Sequence, residues 1–222
     1  MEKTTGIVIK CKDYTETSQL VWIYTRDFGK IKLVAKGSRA RTKKFQGKID
    51  LFNVIDVVFY RSIRGDLHTL GECNISETFK AIRTDLNRLA LASYMVELLE
   101  AVTPLEDPNS EIFCISIQAL RWLSEDMDLK FLQSIYEIKV LQHSGSFPNI
   151  DARTDISNGI KAIIKMVRVS SCVERLKLSP AQLDELSQLL RIIIDYSLGK
   201  RLKSLTFFNS LEQADLEPQL VP

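Results

Sequence analysis

Apolar and polar residues alternate through the first 80 positions of the chain, and then the rhythm changes. Runs at 5–12, 18–25, 30–36, 52–60 and 66–76 are rich in Val, Ile, Phe and Tyr, with Gly, Asp and Ser in the turns between them. The alternation is strict within 30–36. Ile31, Leu33 and Ala35 are expected to face inward, and Lys30, Lys32 and Lys36 to project from the other face. Phe28-Gly29 marks one tight hairpin and Arg64-Gly65-Asp66 another. Five strands with a long loop between the third and fourth predict a small closed barrel. An OB-fold suits this pattern, and an SH3-like barrel suits it almost as well.

Beyond Phe79 the period lengthens to about 3.6. Leu91, Met95, Leu98, Leu99 and Val102 line one face of a helix predicted over 83–102, which Pro104 and Pro108 terminate. A second helix is predicted over 110–124, capped by Asn109 or Ser110, and a third over 128–143, stopped by Ser144-Gly145. Ser179-Pro180 opens the last one. Leu183, Leu186, Leu190, Ile193 and Ile194 form its apolar face, and Gly199 stands at its C-cap. The stretch 146–178 is ambiguous beyond a short helix between Gly159 and Val169. The fold class is therefore α+β: a five-stranded barrel over 1–80, an all-α domain over 81–210, and a tail over 211–222 expected to be disordered. The boundary near 80 is a change of period without a linker, so the two parts are expected to pack together.

Charge sharpens this picture. The net charge of +2 conceals a barrel region of +6 (15 basic and 9 acidic residues in 1–80) and a remainder of −4. Between Arg26 and Lys48 there are nine Lys or Arg against the single acid Asp27. Lys30, Lys32 and Lys36 lie on the strand. Arg39, Arg41, Lys43, Lys44 and Lys48 follow in a loop that opens with Gly37-Ser38 and also holds Phe45. Such a surface neutralises phosphates and releases counterions, and an aromatic within it can stack on an unpaired base. These nine residues, Phe45 included and Arg26 left aside, are the predicted nucleic-acid contacts. Arg39 and Arg41 can also stack, which lysines cannot. Tyr24 and Tyr60 are weaker candidates, since an aromatic on a barrel strand is more often core. Lys200, Arg201 and Lys203 form a second basic cluster: either favourable charge at a helix C-terminus or a further phosphate or acidic-peptide contact.

The ordered set Gly6-Ile-Val-Ile9, Asp13-Tyr-Thr-Glu-Thr17, Thr25-Arg-Asp-Phe-Gly-Lys30, Leu33-Val-Ala-Lys-Gly-Ser-Arg39, Leu86-Asn-Arg-Leu-Ala-Leu-Ala-Ser-Tyr94 and Tyr196-Ser-Leu-Gly-Lys-Arg-Leu-Lys-Ser204 resembles the RecO family of bacterial recombinational repair proteins. The likeness spans most of the chain, with a gap at about 145–178. It implies the OB-fold over the SH3-like alternative. It further implies binding of single- and double-stranded DNA, strand annealing, and partnership with RecR and with the acidic tail of single-strand DNA-binding protein. A functional link to RecA follows from the same resemblance. Proteins of this family often carry a four-cysteine zinc site after the third helix. Here that region reads Phe147-Pro-Asn-Ile-Asp-Ala-Arg153, and Cys172 stands alone, so no zinc is expected.

Catalytic constellations are sparse. His68 and His143 have no Cys or acid at ligand spacing and read as an ordinary strand residue and a helix-end residue. There is no phosphate-binding Gly-x-x-x-x-Gly-Lys loop and no Gly-x-Ser-x-Gly elbow, and Glu125-Asp126 reads as the polar end of a helix. The expectation is a protein that acts without chemistry and without a cofactor. Scattered cysteines, the lack of a leader and the lack of a long apolar run suggest the cytoplasm and no membrane. Two other classes use the same surface: an RNA-binding OB-type protein, and a scaffold whose basic loop grips acidic protein tails.

Overall fold

A computed structural model describes residues 1–39, 45, 47–170, 173 and 176–204. Five strands, β1 (Glu2–Asp13), β2 (Gln19–Thr25), β3 (Gly29–Ala35), β4 (Val54–Tyr60) and β5 (Leu67–Glu77), close into a barrel in the order β1-β2-β3-β5-β4. Hairpins join β1 to β2, β2 to β3, and β4 to β5, so these pairs are antiparallel; β3 and β5 meet in parallel and close the barrel. This is the OB-fold arrangement, and it resolves the barrel alternatives left open by the sequence pattern. Val8, Val21, Ile23, Ile31, Leu33 and Phe59 fill the interior, each essentially inaccessible. The inward set expected on the third strand, Ile31, Leu33 and Ala35, belongs to this interior.

The helices follow as α1 (Lys80–Thr84), α2 (Leu86–Val102), α3 (Ser110–Trp122), α4 (Leu129–His143), α5 (Asn158–Val169) and α6 (Pro180–Leu198). The helix predicted from 83 is thus two pieces. Asp85 is extended between them and caps α2 by accepting a hydrogen bond from the Arg88 N–H. α2 also departs from the single stripe expected of it. Ala90, Leu91, Ala92, Tyr94, Met95, Val96, Leu98 and Leu99 are all buried, because α2 packs against β1 on one side and against α3 and α4 on others. Asn109 caps α3 by accepting from Ile112 N–H, and Ser157 caps α5, the helix that the sequence only partly delimited. Ser179 and Gln182 form a capping box at α6, Pro180 follows the cap, and Gly199 ends the helix at φ 62°. The predicted tail lies outside the described residues.

Barrel and helices share one core. Ile7, Ile9, Tyr24, Phe52, Val54 and Phe79 point out of the barrel into the same cluster as the buried residues of α2, α3, α4, α5 and α6. Polar ties fix the seam. The Tyr24 hydroxyl donates to the Asn109 carbonyl at 3.3 Å, and Lys30 Nζ to the Glu100 carbonyl at 2.6 Å. Arg121 makes a two-pronged bond to Glu77. Gly29, at φ +63°, lies so close that a Cβ there would come within 2.2 Å of the Asp107 carbonyl oxygen.

Candidate nucleic-acid interface

The outer face of β1, β2 and β3 is ordered in rows by strand register. A bulge between Val8 and Lys10 shifts β1 so that Lys10 pairs with Trp22, and Trp22 in turn pairs with Lys32. Three neighbouring strands therefore set Lys, Trp and Lys side by side. Their contacts agree with this register: Lys10 Nζ lies 5.3 Å and Lys32 Nζ 6.0 Å from the centre of a Trp22 ring. Lys10 also pairs with Glu100, and Lys32 with Asp66 at 2.9 Å. Hydrogen bonding to Lys32 holds the exposed Asp66 carboxyl below the usual carboxylate range. Toward the helices, the next row, Tyr24 opposite Lys30, is covered. In the other direction Lys12 pairs with Leu20, and beyond it the chain leaves β3 through Lys36, a turn at Gly37 (φ +71°) and Arg39.

The nine predicted contacts fall into different settings. Lys36 and Arg39 are exposed; Arg39 pairs with Asp13 at 3.0 Å, and its N–H donates to the Thr17 carbonyl, joining this turn to the β1–β2 loop. Lys32 is partly exposed, on the row just described. Arg41, Lys43 and Lys44 lie outside the described residues. Lys48 turns its ammonium to the Cys73 carbonyl and to Asn74 Oδ1, bracing β5. Two assignments need correction. Phe45 is 3% exposed and packs among the barrel's interior residues, so it is not available for stacking on a base. Lys30 is 9% exposed beneath the helical domain. Burial holds its ammonium below the ordinary lysine range; Glu100 opposes that shift, and Lys10 and Lys200 add to it. An apolar seam has covered its end of the strand, and the Glu100 carbonyl satisfies the ammonium in place of water.

Tyr24 is core, with burial pushing its hydroxyl up to about 12, whereas Tyr60 is half exposed. In the second basic cluster Lys200, Arg201 and Lys203 are all exposed, but Arg201 faces Asp195 at 3.7 Å. Three residues of the outer face escaped the sequence reading: Lys10, Lys12 and Trp22. The alternation of Lys10 and Lys12 about Cys11 was a usable signal. Trp22 gave none, since Leu20 to Tyr24 is uniformly apolar and only register shows which side faces out.

His68 is buried, and both ring nitrogens have structural partners. Nδ1 accepts from the Ser62 N–H, which leaves Nε2 to donate to Glu106 at 3.0 Å, so the ring ties the β4–β5 turn to the segment after α2. His143 stands in the last turn of α4. Among the described residues no group of three or more His, Cys, Asp or Glu could hold a metal ion, and no helix is long and apolar enough to cross a membrane. A cavity of about 450 Å³ opens between α3, α4 and the segment after α5, lined by Cys114, Ile115, Trp122, Tyr136 and Lys139.

Comparison with known proteins decides the family. Residues 1–79 match the family model for the recombination protein O N-terminal region, and residues 83–160 that for its C-terminal region. The chain belongs to the RecO family. It is 36% identical over 151 residues to the DNA repair protein RecO of Listeria monocytogenes serotype 4a, covering 68% of this chain and 58% of that relative. It is 28% identical over 203 residues to the DNA repair protein RecO of Halalkalibacterium halodurans, covering 89% of this chain and 79% of that protein. A third RecO relative, from Syntrophus aciditrophicus, is 32% identical over 149 residues. The matched stretch thus spans less than two thirds of the Listeria relative's own length.

Proposed function

We propose that this member of the RecO family is a cytoplasmic DNA-repair protein. It binds single- and double-stranded DNA, anneals complementary strands without chemistry and, with RecR, helps load RecA onto DNA covered by single-strand DNA-binding protein. The observation that carries the reading is the Lys10–Trp22–Lys32 row on the outside of an OB barrel, continued at the open end by Lys12, Lys36 and Arg39. Ammonium and guanidinium groups neutralise phosphates, which lowers the repulsion between two strands, and nothing in the row reads base edges, so binding is indifferent to sequence. The proposed contact set also keeps Arg41, Lys43 and Lys44. The test is annealing of complementary oligonucleotides carrying a fluorescence donor and acceptor. The native protein should speed pairing, and Lys12→Ala, Lys36→Ala, Arg39→Ala combined should slow it. Equal rates for the two would remove this surface from the reading.

The cavity beside Lys139 suits the acidic, apolar-ended tail of single-strand DNA-binding protein. It offers aromatic and aliphatic walls with the Lys139 ammonium at the edge, and Lys139 Nζ otherwise donates to the Ser170 and Arg168 carbonyls. A labelled tail peptide should bind the native chain and lose affinity in Lys139→Ala; unchanged affinity would place the tail elsewhere. Stronger binding to RNA than to DNA of the same sequence would favour the RNA-processing alternative. Tight peptide binding without DNA binding would favour the scaffold.

A further inference from the structure

Past Gly199 the chain turns back over α2, where Glu97 holds it, while Glu100 on the same helix face holds the barrel. Glu97 accepts from the backbone N–H groups of Lys203 (3.1 Å) and Ser204 (2.9 Å), and from the Ser204 hydroxyl. Glu100, three residues on, pairs with Lys10 through its carboxylate and receives Lys30 Nζ on its carbonyl. Positions three apart share a helix face. α2 therefore brings the 200–204 segment to the margin of the Lys10–Trp22–Lys32 row, and Lys30 feels the charges of both Lys10 and Lys200. Around this margin Lys10, Lys30, Lys32, Lys200 and Lys203 outnumber Glu97, Glu100 and Asp66. Trp22 is only partly buried here, between two of the ammoniums.

We propose that one nucleic-acid strand crosses this seam, with phosphates on Lys200 of the helical domain and on Lys10 and Lys32 of the barrel, and a base against Trp22. The inference rests on the DNA reading above and extends it to the helical domain. The Lys10–Glu100 and Lys32–Asp66 pairs are partly exposed, so a phosphate can replace either carboxylate at little cost. The carboxylates hold the ammoniums in position until it does.

The protein has two tryptophans, Trp22 and Trp122, so Trp122→Phe leaves Trp22 as the single indole emitter. Titrating this variant with oligo(dT) should quench its emission, because a base stacks on the remaining indole. In parallel, anisotropy of a labelled oligo(dT) across a salt series should show that Lys200→Ala lowers the slope of log affinity on log salt by about 0.7, the share of one phosphate. If the native chain binds but either the Trp22 emission or the Lys200→Ala slope is unaltered, the strand does not cross the seam, and the DNA reading stands without it. If the native chain does not bind oligo(dT) even at low salt, both fall together.

Discussion

The outer face of the barrel has two ends built from the same three strands with the same alternation. At one end Ile7, Tyr24 and Lys30 point outward into the helices; at the other Lys12 is exposed opposite a half-buried Leu20, and Lys36 is exposed just past the end of β3. Lys30 and Lys36 are six residues apart on one basic run, yet one is 9% exposed and bonded to the Glu100 carbonyl while the other stands in water. The helices, rather than the strand, decide which of these lysines are exposed. They convert the covered end into core and leave Lys12 and Lys36 at the surface.

The comparison can be broken most forcefully at Gly29. Gly29→Ala adds a Cβ against the Asp107 backbone at a positive φ, and should cost roughly 3 kcal/mol or more in urea unfolding, with the covered end prised open. Little change would mean that the seam is looser than described. A second test lies deep in the helical domain. Glu137 is 2% exposed and accepts from the Tyr94 hydroxyl and Gln133; burial raises its carboxyl from 4.5 to about 7 despite those bonds. A carboxyl whose pKa rises on folding favours the folded state at low pH, and that contribution is lost as pH climbs from about 4.5 to about 7. Glu137→Gln should therefore match the native stability near pH 4 and exceed it by roughly 2–3 kcal/mol at pH 8. Because the covered end makes one core of both parts, Trp22 emission, read in the Trp122→Phe background, and helical circular dichroism should melt together at either pH. Separate transitions would show that the seam does not couple them.

A smaller effect is expected at Asn109, which caps α3, donates to the His143 carbonyl and presents its own carbonyl to Tyr24. Asn109→Ala should lower stability by about 1 kcal/mol in thermal unfolding; no loss would mean that the cap contributes nothing. Smallest of all is Lys30→Met. It keeps the stem and removes a buried ammonium, and it should leave the salt dependence of DNA binding as in the native chain.

Much of the fold was legible because its signals are local. Alternation and turn glycines located all five strands, and Ser179-Pro180 with Gly199 framed α6. The choice of barrel came from the resemblance and is borne out by the closed strand order. The site was legible as a charge distribution and illegible as a surface. Phe45 read as a stacking aromatic because nothing local says that it enters the barrel interior. Lys30 read as free because the helix that covers it is some 70 residues away. Trp22 was invisible until the bulge in β1 and the register across three strands set it between two lysines. Each of these depends on which distant residue arrives opposite, and a period along one strand does not carry that.

The most direct test of the account compares the two ends in one experiment: anisotropy of a labelled single-stranded oligonucleotide across a salt series. It would use the native chain, the open-end variant Lys12→Ala, Lys36→Ala, Arg39→Ala, and the covered-end variant Lys30→Met. Three phosphate contacts at about 0.7 each predict that the open-end variant flattens the slope by about 2, with Lys30→Met indistinguishable from native. A native slope that survives the open-end variant, or that falls with Lys30→Met, would contradict the assignment of the open end as the DNA-binding surface.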